Sequence, residues 1–352
     1  MPEDGKRFGE PLRGGLIGFG NVALNAHLPV WQQSRDFRIV AVVEPLPERA
    51  ELVMELLPDV RIYKDVDHML TDGAVDFVDI CTPSCFHAEL MLRACLSGLH
   101  VFCEKPLFTS SGHLRQIEET ASRLHRTLFV VNNWKYAPLW KRAIDLVREK
   151  RIGSVRSVYL AVLRTPDSGG GISNWRQCAK FAGGGILLDH GWHNLYLILS
   201  ILEERPLSLS ARMEYPQRKG SNMEDTVNLV LHFPGAETRL HLTWRSEYRR
   251  NYGTIIGDRG TITVDDDHLI LESRTGHSPV RYNFPEPLSR GSHHTQWMEP
   301  VVENFYREVM DDRVRGTNFT EGKWCAYLTD LAYRSQSSGS CLIEVGDPFQ
   351  GG

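Results

Sequence analysis

Lys105 stands between an acid and a proline in Glu104-Lys105-Pro106. Asp189 and His193 lie four residues apart in Gly183-Gly184-Gly185-Ile186-Leu187-Leu188-Asp189-His190-Gly191-Trp192-His193. A partly desolvated ammonium can share a proton with, and polarise, an oxygen that turns from hydroxyl into carbonyl. An X-Pro bond such as Lys105-Pro106 can be cis, and it fixes the backbone that aims the lysine. On a helix, residues four apart share one face, so the Asp189 carboxylate is expected to set the tautomer of His193 and raise its basicity. That pairing suits a general base taking an alcohol proton. The same two residues also suit a helix cap and a satisfied core histidine. Either Lys105 or His193 can be the base, and the spacing does not decide between them. No third ligand at a metal-binding spacing accompanies Asp189 and His193, so no metal is expected.

A second constellation points to a dinucleotide. Gly18-Phe19-Gly20-Asn21-Val22-Ala23 is a GxGxxA turn after a short apolar run, and Glu44 follows the next apolar run, 24 residues beyond Gly20. Small residues at 18, 20 and 23 allow a tight turn, a close approach to a pyrophosphate and close packing of the following helix, whose N-terminus offers unpaired N–H groups. An acid at the position of Glu44 accepts hydrogen bonds from the adenosine ribose and repels a 2′-phosphate, which favours NAD; Arg49 keeps NADP as the lesser alternative. Thr82, Pro83 and His87, in Cys81-Thr82-Pro83-Ser84-Cys85-Phe86-His87, join Glu104 and Lys105 as candidates for the nicotinamide end of the cofactor. Asn133, Arg164, Trp175 and Arg176 are candidates for the substrate pocket. Arg164 and Arg176 together could receive a phosphate or carboxylate.

These residues need elements that end near them. From residue 13 to about 131, short β-like runs (Gly14 to Gly18, Arg38 to Val43, Arg61 to Tyr63, Phe77 to Cys81, His100 to Cys103, Thr127 to Val131) alternate with helical patterns. That rhythm predicts a Rossmann-type doubly wound parallel sheet over residues 1–131, with ligands at the strands' carboxyl ends. Over residues 132–352 longer runs with period-two alternation appear, from Val155 to Leu163 through Leu269 to Ser273, punctuated by turn residues such as Pro234-Gly235. They predict an α+β domain on a large open, mostly antiparallel sheet, with helices Pro138 to Arg151, Gly185 to Leu202, Pro300 to Asp311 and Glu321 to Gln336 on one face. Ser168 to Gly171 and Arg281 to His294 read as loops.

Composition narrows the class. A chain of 352 residues is long for one core and suggests two domains. A net charge of -4 gives no general attraction to nucleic acid or to anionic membrane. The polar N-terminus lacks the apolar stretch of a secretory signal, and the longest apolar run, Ile186 to Leu202, is interrupted by polar residues, so neither export nor a membrane span is expected. Seven cysteines without framework spacing suit free thiols in the cytoplasm.

Together the GxGxxA turn, CTPxxxH, EKP, Trp175-Arg176, GGGxLxDxGxH and the Asn318-Phe319-Thr320-Glu321-Gly322 helix entry resemble the glucose-fructose oxidoreductase and inositol dehydrogenase (Gfo/Idh/MocA) family over nearly the whole chain. The resemblance implies a Rossmann domain, a second domain on a large antiparallel sheet, and homodimers or homotetramers formed through that sheet. It implies oxidation or reduction of a secondary hydroxyl on a sugar, sugar derivative or cyclitol, with Lys105, Asp189 and His193 in the site. Where many members read DxGxHxxD, this chain has Tyr196 in the last position, which leaves the proton relay open. Two alternatives accompany the dehydrogenase: an NAD-dependent, redox-neutral glycosidase of similar fold, and a nucleotide-sensing protein without turnover.

Overall fold

A computed structural model describes residues 10–107, 110–166, 175, 178–216, 222–274, 276, 278–291 and 293–347. Arg176 and the loop expected at Ser168 to Gly171 lie outside them. Fifteen strands form two sheets among the described residues.

The first sheet holds β1 (Leu12–Ile17), β2 (Phe37–Val43), β3 (Arg61–Tyr63), β4 (Phe77–Ile80), β5 (His100–Cys103) and β6 (Leu128–Val130), all parallel, in the order β3-β2-β1-β4-β5-β6. Strands β4, β5 and β6 are buried at every position, as expected for a parallel sheet covered on both faces. The chain reverses its winding between β1 and β4, and such a switch point opens a crevice at the carboxyl ends of the strands. Candidate residues 18–23, 44, 82–87 and 104–105 follow the ends of β1, β2, β4 and β5.

The first helix is not a regular α-helix throughout. It contains a π-helical turn at Ala23–His27 before the α-helix Leu28–Gln33, and that turn ends at the buried His27.

One structural unit combines residues Met1–Val131 with His293–Thr320, a segment that the sequence pattern placed with the second domain. Aromatic packing is the reason. Phe305, on the helix Thr295–Met310, stacks on Phe37 at 5.4 Å and meets Phe77, Phe102 and Phe129 at 5.2 to 5.6 Å, so it contacts side chains of β2, β4, β5 and β6. Asn318 then imitates a strand edge: its Oδ1 accepts from Val130 N–H at 2.6 Å and its Nδ2 donates to Val130 C=O at 3.0 Å. The same helix starts five residues before Pro300, the expected first residue. Burial of Trp297 and Met298 outweighs the amide hydrogen that an interior proline lacks.

The second unit contains Asn132–Ser292 and Glu321–Gly352. Its strands are β7 (Val155–Leu163), β8 (Ser208–Glu214), β9 (Thr226–His232), β10 (Glu237–Thr243), β11 (Arg250–Gly257), β12 (Gly260–Asp265), β13 (His268–Ser273), β14 (Val280–Asn283) and β15 (Ile343–Glu344). Their order is β14-β13-β12-β11-β7-β10-β9-β8-β15, antiparallel except for the parallel pair β7 and β10. Alternation is visible in β11 and β12, where Asn251, Gly253, Ile255, Ile262 and Val264 are buried while Tyr252, Thr254 and Thr263 remain partly exposed. Period-two reading missed β14 and β15. Strand β14, which runs one residue ahead of the expected loop Arg281 to His294 and into it, is short and mostly exposed at the sheet edge, and β15 has two residues. No helix among the described residues is long and apolar enough to cross a membrane.

Replacing Phe305 by Ala should remove the centre of the aromatic cluster and destabilise the first unit by about 3–5 kcal/mol. Urea unfolding of the variant checks this; a loss below about 1 kcal/mol would mean that the helix is held from elsewhere.

Candidate active site

The glycine turn is shaped for close approach. Gly18 has φ +88°, and a Cβ there would sit 3.2 Å from both Cys81 C=O and Thr82 Cγ2; at Gly20 the nearest neighbour of such a carbon is Arg49 Nη1 at 3.6 Å. Residues Asn21 and Val22 begin the helix, so its free N–H groups face the end of β1. Glu44 is buried, and it braces the turn: Oε2 accepts from Phe19 N–H at 2.8 Å and Oε1 from Leu46 N–H at 3.0 Å. Each oxygen keeps a further lone pair for a hydroxyl donor. Thr82 Oγ1 is buried without a hydrogen-bond partner among the described residues, a polar group free for a ligand beside Gly18. These features fit a dinucleotide.

Behind Lys105 lies a chain of buried and partly buried side chains. Glu104 Oε2 accepts from Lys105 N–H at 3.1 Å, and its Oε1 meets His27 Nε2 at 2.9 Å. His27 Nδ1 lies 2.9 Å from Asp79 Oδ2, which also accepts from Trp31 Nε1 at 2.7 Å. Burial works to lower the pKa of His27, but Asp79 and Cys81 outweigh it and hold the ring well above its ordinary value. Glu104 is held below the usual carboxylate range: burial opposes this, and the hydrogen bond and charge of His27, with Lys105, prevail. Burial pushes the Cys81 thiol up, out of the reactive range. His27, Asp79 and Cys81 place ligand-type atoms within 4.8 Å of one another, but their bonds to each other, to Trp31 and to Glu104 already engage them. The Lys105-Pro106 bond is cis. His87 spans the two neighbouring loops, with Nε2 2.8 Å from Thr82 C=O and Nδ1 3.0 Å from Pro106 C=O. Pro83 precedes the short 3-10 turn Ser84–Phe86 that leads into His87.

In the second unit the glycine run is explained by Glu224 and Tyr333. A Cβ on Gly184 would lie 2.0 Å from Tyr333 Oη, and one on Gly185 would lie 1.9 Å from Glu224 C=O. The buried Glu224 carboxylate accepts from Gly185 N–H and Leu187 N–H at 3.0 Å and from Tyr333 O–H at 2.9 Å. Burial raises its pKa, against those hydrogen bonds. From this anchor the chain enters a π-helical turn, Leu187–Gly191, and then the α-helix Trp192–Leu202. A continuous α-helix from Gly185 was expected. The wider turn carries Asp189 and His190, whose Nε2 lies 3.5 Å from the Asp189 carboxylate.

His193, nearly buried, has an oxygen partner that the sequence reading did not supply. Its Nδ1 lies 2.7 Å from Tyr196 Oη, and Tyr196 Oη accepts from Trp134 N–H at 2.9 Å. The Trp134 ring stacks on the imidazole at 4.7 Å and 13°. Around them, Glu321 Oε1 accepts from Asn132 Nδ2 at 2.7 Å and Lys135 Nζ at 2.8 Å, while Asn132 Oδ1 accepts from Trp192 Nε1 at 3.0 Å. Asn133 is partly buried, with Oδ1 unpartnered among the described residues. Arg164 is 1% exposed; its guanidinium donates to Leu163 C=O, Arg250 C=O and Asn251 Oδ1, and Nε has no partner among the described residues. Burial, then the charge of Arg249, lowers its pKa to about 10, with Asp189 and Asp266 opposing. Trp175 is partly buried. Glu224, Trp134 and the pair His27–Asp79 carried no motif or spacing that could have marked them. Tyr196 was visible only as a departure.

Comparison with known proteins agrees with this architecture. The family model for the oxidoreductase family, NAD-binding Rossmann fold, matches residues 12–132, and that for the GFO/IDH/MocA C-terminal domain matches residues 140–263. The chain belongs to the Gfo/Idh/MocA family of oxidoreductases. It is 24% identical over 334 residues to the inositol 2-dehydrogenase of Rhizobium meliloti, covering 92% of this chain and 96% of that one. It is 28% identical over 194 residues to the D-glucoside 3-dehydrogenase of Escherichia coli, where the match spans 54% of each chain. Among solved structures, levoglucosan dehydrogenase in complex with NADH and levoglucosan superposes with a TM-score of 0.83 at 20% identity, over 96% of this chain and all of that one. GenD2 from gentamicin A biosynthesis, in complex with NAD, gives 0.81 at 23% identity, over 97% and 99%. At such identities the structural likeness shows the fold.

The raised pKa of His27 has a thermodynamic consequence. A histidine whose folded pKa exceeds its unfolded value adds stability that is complete below about pH 6.5 and is lost as pH rises through the higher folded value. Thermal melts of the wild type should therefore decline with rising pH above that point, and His27→Gln should lack this limb. Identical pH dependence in both proteins would remove His27 from the account.

Proposed function

We propose that the protein is an NAD-dependent dehydrogenase or reductase that transfers hydride between the nicotinamide and a secondary hydroxyl of a sugar, sugar derivative or cyclitol. The observation that carries this reading is that the backbone beside Lys105, and the turn that leads to Asp189 and His193, are each held by an inward-facing carboxylate, Glu104 in one unit and Glu224 in the other. Residues 18–23 would hold the pyrophosphate through backbone N–H groups, and Glu44 the adenosine ribose; its negative charge favours NAD over NADP. Thr82, Pro83, His87, Glu104 and Lys105 would line the nicotinamide end. NAD supplies the acceptor or donor of hydride when bound. Lys105 and His193 are the groups that handle the hydroxyl proton and the charge on its oxygen, and Asp189 orients the polar end of the helix that bears His193. Asn133, Arg164, Trp175 and Arg176 would face the rest of the substrate. The relatives named above as acting on inositol and D-glucosides support a polyhydroxylated ring.

In this reading the protein works in the cytoplasm, without nucleic acid or membrane, as a homodimer or homotetramer. The partly exposed alternate residues of the large sheet, Tyr159, Tyr252 and Thr254 among them, would form the subunit contact.

A panel of inositols, sugars, glycosides and sugar acids, followed by NADH absorbance, tests the activity. Lys105→Ala should bind NAD about as well as the wild type and lose about 10²–10⁴-fold in kcat/KM on the substrate found. Glycoside cleavage without net NADH would replace the dehydrogenase by a redox-neutral hydrolase. NAD binding with no turnover across the panel would leave a sensor.

A further inference from the structure

We infer that the dinucleotide site accepts NADP alongside NAD, with Arg49 holding the 2′-phosphate at the exposed rim while Glu44 serves the ribose hydroxyls of NAD from the base. This second cofactor rests on the dinucleotide site of the reading above and on no step of its reaction. Every residue concerned belongs to the first unit.

An acid after the second strand accepts from the ribose 2′-hydroxyl of NAD, whereas a nearby arginine accommodates the 2′-phosphate of NADP. This chain has both. Glu44 is 3% exposed, and its two oxygens accept from Phe19 N–H at 2.8 Å and Leu46 N–H at 3.0 Å, so two backbone dipoles already face its charge. The lone pairs that remain suit neutral hydroxyls. A phosphate monoester carries about 1.5 to 2 negative charges at pH 7, and it has to stay near solvent and near cations.

The cations are at hand. Arg49, the third residue of the helix Pro47–Leu56, is exposed and pairs with no acid among the described residues. Its N–H donates to Leu46 C=O at 3.1 Å, in the turn that Glu44 braces. Its Nη1 lies 3.6 Å from where a Cβ on Gly20 would stand, and apart from the adjoining residues no other atom comes within 4 Å of that point. The guanidinium therefore reaches from the loop after β2 to the second glycine of the turn, on the side that the missing Cβ leaves open. Lys64 adds a second charge. It follows β3 at the level of Glu44, whose N–H donates to Tyr63 C=O at 3.0 Å, and it too is exposed and unpaired among the described residues. Asp65 is engaged by His68, whose N–H it accepts at 3.0 Å, and Glu48 opposes the two cations with one charge. A planar guanidinium takes phosphate oxygens in pairs, which an ammonium does not, so Arg49 determines the specificity and Lys64 assists it.

Titration of the full chain, freed of nucleotide, with NAD and with NADP tests this by calorimetry and needs no substrate. NADP should bind within about thirtyfold of NAD, and its affinity should fall faster as salt is added. Arg49→Ala should weaken NADP by about 10–100-fold, the loss of a charged hydrogen bond, and NAD by less than about threefold; Lys64→Ala should weaken NADP by less than about fivefold. A wild type in which NADP lags further behind NAD would overturn the inference, and that comparison requires no variant. Equal losses of both dinucleotides in Arg49→Ala would also overturn it, since they would put Arg49 on the pyrophosphate that the two share. A chain that binds neither would end the dinucleotide site altogether. Binding of both without turnover of any polyol would end the dehydrogenase reading while the second cofactor stood.

Discussion

The carboxylate of Glu224 accepts hydrogen bonds from the amides of Gly185 and Leu187 in a buried pocket, and the placement of the second unit's helix Trp192–Leu202 depends on that contact. An N-terminus of a helix leaves four amide hydrogens without partners, and burial makes each of them costly. Glu224 resolves the problem with one side chain, and Tyr333 adds a third donor to it. Only glycine fits at 184 and 185, because any Cβ would overlap the groups that provide the anchor. The π turn Leu187–Gly191 then begins from a fixed point, and Asp189, His190 and His193 follow from its geometry.

A parallel solution serves Lys105. The carboxylate of Glu104 is divided between the Lys105 amide and the His27 ring, and His27 is held from its other side by Asp79. His27 thus stands between two acids in one row of hydrogen bonds, and Trp31 donates to its far end. A buried charge is tolerable only when its neighbours compensate it, so the row is rigid for the same reason that it is stable. In both units a backbone turn that bears a candidate residue is fixed by an acid that points inward. The acid that would mark such a site in a sequence search is the exposed one, and here neither is exposed enough to announce itself.

The aromatic cluster around Phe305 shows how the chain's linear order and its packing diverge. Residues after 292 follow the last strands of the large sheet in sequence, yet their apolar face suits Phe37, Phe77, Phe102 and Phe129. Periodicity identified the helix but could not choose its partner, because a stripe of apolar side chains carries no address. Pro300 misled the reading of its start for a related reason: local preference puts proline in the first turn, and burial of Trp297 and Met298 extended the helix past it.

Sequence alone determined the alternating strands and helices of the parallel sheet, the period-two strands β7 to β13, the glycine turn with Glu44 after the second strand, and the two polar motifs around Lys105 and Asp189. Those signals are local: a turn that requires glycine, an alternation set by the pleat, a capping or catalytic acid at fixed spacing. Edge strands β14 and β15 escaped because one is short and mostly exposed and the other has only two residues. What only the tertiary structure decided was every pairing between distant residues: Glu224 with Gly185, His27 with Asp79 and Glu104, Asn318 with Val130, and Trp134 with His193. Tyr196 belongs to both accounts. Its place in the motif was legible at once, whereas its hydrogen bond from the amide of Trp134, 62 residues away in the chain, depended on the fold, because groups so distant in sequence meet only when the elements that carry them pack together.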